Sequence, residues 1–80
     1  MKTTRYFEWS RTQADRSRIR EAWIRRVIAH PEEIRIQQDG RVQLWGYVVE
    51  VNRYLRVVLL ADSETVHNAF FDRGFGRSKR

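Results

Sequence analysis

The chain contains no cysteine, a single proline and only four glycines. Without cysteine there is no disulfide and no thiolate metal site, which fits a reducing compartment. Two histidines are present, His30 and His67. Nothing spaces them as ligands, so no metal is expected. No apolar run approaches the roughly 18 residues of a membrane span, and "MKTTRYFEWSR" lacks the apolar segment of a secretory signal. The expectation is a soluble, cytoplasmic protein with no membrane partner. The usual enzyme signatures are also missing. "GFG" (74–76) lacks the lysine of a phosphate loop, no serine has the setting of a nucleophile, and Glu32-Glu33 after Pro31 reads as a solvated pair. No cofactor is expected.

Basic charge, in contrast, is plentiful. Sixteen Lys and Arg against ten Asp and Glu give a net charge of +6 over 80 residues. Arginine dominates, since only Lys2 and Lys79 are lysine, and its planar fork suits phosphate and stacks on bases. The charge is segregated: residues 1–30 carry +5, residues 31–72 carry −3 and residues 73–80 add four bases. A strongly basic small chain points to RNA, or to the ribosome, as partner.

The pattern along the chain predicts one small domain over residues 1–72 and a basic flexible tail over 73–80. "TTRYFEW" (3–9), β-branched and aromatic, predicts a first strand. In 13–30, Ile19, Trp23 and Val27 recur at helical spacing, and Pro31 ends the helix. The period then changes to two. "EIRIQQ" (33–38) and "RVQLWGYVVEV" (41–51) are strands joined by "DG", a two-residue hairpin signal. "YLRVVLLA" (54–61) and "TVHNAFF" (65–71) follow, with Asn52-Arg53 and Asp62-Ser63 as tight turns. The order β-α-β-β-β-β describes an α+β fold, with an antiparallel sheet covered on one face by one main helix.

Pairing the strands through those turns sorts the side chains onto two faces. One collects Leu44, Val48, Leu55, Val57, Leu59, Ala61, Val66 and Phe70 and should receive the helix. The other collects Trp45, Tyr47, Val49, Tyr54, Arg56, His67 and Phe71, with Arg41 and Gln43 at one end. So many rings are out of place on an ordinary wet face. Two explanations stand: Tyr6, Phe7, Trp9 or Phe75 folds over the face or a homodimer covers it, or RNA bases stack on it.

If the chain is an enzyme, cofactor-free acid–base cleavage of RNA is the chemistry that remains. His67 would exchange the proton, its ordinary pKa lying near 6.5, and Arg56 would stabilise charge at phosphorus. Arg41, Tyr47, Tyr54 and Arg73 are the candidate phosphate and base contacts. A non-catalytic domain that binds nucleic acid or the ribosome, or that serves as a protein-interaction module, is the alternative.

The run "VIAHP … DGR … WGYV … YLRVVLL … ETVHNAFFD" resembles small bacterial families related to BrnT and, more remotely, the RelE/ParE toxins. The resemblance spans about residues 5–73. By position Arg41 corresponds to the hairpin arginine, Arg56 to the arginine of the "LRVV" strand, and His67 to Phe71 to the last strand. The resemblance implies a compact sheet with helix on one face and a toxin that cuts mRNA, with a cognate antitoxin as partner. The chain departs from those families in having Arg5 and Tyr6 where an N-terminal histidine is common, and Phe70 and Phe71 where RelE-like nucleases carry tyrosine or lysine.

Overall fold

The computed structural model describes residues 1–78, with side chains through residue 76. The end of the expected tail, residues 79–80, lies outside the described residues. The fold is α+β: α1 (Arg5–Ser10), α2 (Glu21–Ala29), β1 (Glu33–Ile36), β2 (Val42–Val48), β3 (Arg53–Leu59), β4 (Val66–Phe71) and α3 (Arg73–Ser78). The four strands form one antiparallel sheet in sequence order. No helix among the described residues is long and apolar enough to cross a membrane.

The expected first strand is a helix. Its strand character survives only at residues 2–4, where Thr3 bridges Val66 in parallel and Thr4 N–H donates to the Val66 carbonyl. Thr4 then caps α1 by accepting the Phe7 N–H on its hydroxyl, a favourable N-cap interaction. Phe7 and Ser10, three residues apart, turn inward together. Burying Phe7 in the core outweighs a strand propensity that is weak and context-dependent.

The main helix is shorter than its pattern suggested. Residues 11–19 are successive turns, with Arg16 N–H donating to the Gln13 carbonyl and Ile19 N–H to the Arg16 carbonyl. The stretch before Ile19 has no apolar stripe to hold a helix on the sheet, and packing supplies most helical stability. From Glu21 onward Trp23, Ile24 and Val27 are buried against Leu44, Val48, Leu55, Val57, Leu59 and Val66. Each such side chain contributes roughly 1.5–3 kcal/mol. The helix comes so close to β2 that a Cβ on Gly46 would lie 2.8 Å from Val27; only glycine admits this contact. Arg26 clamps the following loop by a two-pronged pair with Glu50, at 2.9 and 2.7 Å.

All three hairpins are wider than two-residue turns. Gly40 N–H donates to the Gln37 carbonyl and Gly40 sits at φ 91°, so the first loop is a turn followed by a left-handed glycine. The second loop spans 49–52, with Tyr47 opposite Tyr54 instead of Val58. Asn52 takes the left-handed position, φ 56°, which asparagine tolerates. The shift is even, so faces are preserved along β2 and β3. In β4 it is odd. The register breaks between Val58 and Leu59: Leu59 pairs Val66 but Val58 pairs Asn68. His67 is the extra residue of this bulge, and a bulge moves every later side chain to the other face. Phe71 therefore packs against the core, and Phe70, expected there, lies opposite Arg56.

The first part of the expected tail forms a helix, α3 (Arg73–Ser78). Asp72 accepts the Phe75 N–H and starts α3, and Phe75 is only 6% exposed.

Candidate nucleic-acid interface

The sheet face turned away from α2 carries Trp45, Tyr47, Tyr54, Arg56, Val58 and Phe70. Helix α3 covers its middle. Phe75 stacks on Trp45, centroids 5.0 Å apart and planes 13° apart, and meets Tyr54 edge-on at 4.9 Å. Trp45 is 1% exposed, with Arg35 and Arg56 also against its ring. Its indole N–H donates to Asp72 at 2.9 Å, and the same carboxylate takes the Arg56 guanidinium at 2.7 Å. Burial opposes ionisation of Asp72, but these donors and the Phe75 N–H outweigh it and hold the carboxyl below its ordinary range. So the middle of the aromatic face is covered, and by the segment expected to be a tail, while Tyr47 stays exposed.

Tyr47 and Tyr54 sit edge to face at 5.2 Å beside Glu32. That residue is more than a solvated charge: it accepts the Tyr47 N–H at 2.9 Å and the Tyr54 hydroxyl at 3.3 Å. Burial and the Glu32 carboxylate both raise the Tyr54 pKa. A carboxylate at this end disfavours phosphate, so the two tyrosines form a poor backbone contact.

His67 lies at the opposite end. Its Nδ1 is 3.1 Å from the Thr4 hydroxyl and its ring stacks on Tyr6 at 5.1 Å, with Trp9 5.8 Å beyond Tyr6. Because Thr4 already accepts from Phe7 N–H, its own proton is available to His67 Nδ1. Desolvation, then the charge of Arg41, lowers the His67 pKa. Both effects favour the neutral ring. Arg41, expected beside it, is electrostatically coupled to it but also lies 3.6 Å from Asp39. Arg56 is not brought to His67; it stands opposite Phe70 and is committed to Asp72.

A cluster of three arginines lies elsewhere. Arg16, Arg53 and Arg73 open onto one cleft of about 260 Å³, walled by Phe70 and Phe71 with Ile19 and Asp15. Arg16 is oriented by a 2.6 Å hydrogen bond to Asn68 Oδ1 and lies 5.3 Å from the Phe70 ring. Arg53 lies 5.5 Å from the Phe71 ring. Among the described residues neither Arg53 nor Arg73 has a carboxylate within ion-pairing distance. Of the expected contacts, only Arg73 belongs here. Arg53 falls in the Asn52-Arg53 turn signal, the β4 alternation places Phe70 in the core because the bulge at His67 is silent in sequence, and nothing in the sequence singles out Arg16. No group of three His, Cys, Asp or Glu side chains among the described residues could hold a metal ion.

No family profile matches the chain, and no curated protein or solved structure matches it either.

Proposed function

We propose that this protein binds single-stranded RNA through the Arg16–Arg53–Arg73 cleft. The observation that carries the reading is the convergence of three guanidinium groups and two phenylalanine rings on one opening. Arginine forks grip phosphate oxygens, and aromatic faces beside a basic groove accept unstacked bases of any sequence. Asp15 offsets one of the three arginines and leaves the cleft a formal charge of about +2. The RelE- and BrnT-like reading of the motifs supplies a setting for such binding: inhibition of translation by occupying RNA, with a cognate antitoxin covering the cleft.

Cleavage by His67 and Arg56 is the weaker form of this reading. It needs both groups at one phosphate, whereas Arg56 is held by Asp72 and His67 by Thr4 and Tyr6. Fluorescence titration of a labelled single-stranded oligoribonucleotide tests the proposal. Binding should weaken with salt and with Arg53→Glu or Arg73→Glu, and no cleavage should accompany it. Affinity indifferent to both variants would refute the cleft as the site.

A further inference from the structure

We infer that a second copy of this chain pairs with β1, edge to edge and antiparallel, about a twofold axis through Ile34. Strand β1 is the outer strand of the sheet. Gln37 N–H donates to the Arg41 carbonyl at 2.8 Å, one step beyond the Ile36–Val42 pair. The alternation of an antiparallel ladder then turns the backbone groups of Glu33 and Arg35 toward β2 and those of Ile34 and Ile36 outward. An edge that presents such groups is a template for another strand.

The side chains point the same way. Ile34 and Ile36 are 56% and 74% exposed although their cross-strand neighbours Leu44 and Val42 are buried. Helix α2 packs on β2 and β3, so the apolar layer beneath it continues onto β1 and ends uncovered. Pairing Ile34 with Ile34 of the second copy joins the two layers, with both α2 helices on the same face.

Charge selects that register. It sets Glu33 opposite Arg35 of the second copy, and Arg35 opposite Glu33 of the second copy. Within one chain Arg35 already donates to Glu33 at 2.6 Å, so the dimer extends one ion pair into a ladder of four charges. Centring the axis on Arg35 would instead oppose two arginines, and like charges directly opposite are destabilising. The RNA-binding cleft lies at the β4 edge, so the dimer leaves both clefts open at the far ends of an eight-stranded sheet.

Sedimentation equilibrium of the full chain over a range of concentrations tests this. A dimer is expected, and Ile34→Lys should convert it to monomer. Glu33→Arg alone and Arg35→Glu alone should each weaken association about tenfold, two like-charge contacts being created in each. Mixing the two single variants should restore a heterodimer, because every opposed pair is then Glu with Arg. A monomer at every concentration, a dimer indifferent to Ile34→Lys, or a mixture that does not associate would each overturn the inference.

Discussion

Asp72 and Arg56 meet at 2.7 Å, and the oxygen they share also accepts the Trp45 indole at 2.9 Å. The second oxygen of the same carboxylate caps α3 through the Phe75 N–H. One side chain thus ties two strands, a buried indole and the last helix together. Replacing Asp72 with Ala leaves Arg56 and the indole N–H without that acceptor. The expected cost is about 2–3 kcal/mol, read by urea unfolding, with a red shift of tryptophan fluorescence as Trp45 becomes wetter. The pH dependence follows from the lowered pKa. Asp72 contributes its stability in full above the unfolded value near about 3.9 and loses it as pH falls through the lower folded value. Asp72→Asn should therefore flatten the acid limb of the stability curve.

Phe75 extends the same argument to α3. With Phe75 buried on Trp45 and Tyr54, Phe75→Ala should cost about 3 kcal/mol, and truncation after Asp72 at least as much. A truncated chain as stable as the whole one in thermal unfolding would show that α3 adds nothing.

His67 sets a second pH dependence, of known sign. Its folded pKa lies below the ordinary value, so the unfolded chain takes up the proton first. Stability is unaffected above about pH 6.5. It falls as pH drops from there to the folded pKa, because charging the ring costs more in the fold. His67→Gln should remove that part of the pH dependence, measured by thermal midpoint between about pH 7.5 and about pH 5.5, one unit either side of the ordinary value.

For RNA, each arginine removed from the cleft should lower the slope of log affinity against log salt by about 0.7, the value for single strands. Arg25→Ala removes equal charge from a pair with Glu21 on α2, outside the cleft, and should leave the slope within half of that change.

Much of the fold is local enough to be legible in residue order. The period-two alternation of "EIRI", "RVQLWGYV" and "YLRVVL" gives three neighbouring antiparallel strands, and the spacing of Trp23 and Val27 gives the buried side of α2. Thr4, Ile19 and Phe75 were harder to place. Each adopts its conformation because of a partner distant in the chain: Val66 beside Thr4, the core around Ile19, and Trp45 beneath Phe75.

The candidate site depended on a subtler event. The alternation of β4 is readable in "VHNAFF", but alternation cannot say where a strand gains a residue relative to its partner. The bulge at His67 reverses Phe70 and Phe71 and brings Phe70 beside Arg16 and Arg56. Composition and periodicity determined that this protein is a basic, arginine-rich α+β domain with one aromatic sheet face. Only the tertiary structure decided that α3 covers that face and that the open arginines gather at its edge. Periodicity records which side a residue prefers, whereas register and cover are set by contacts between segments far apart in sequence.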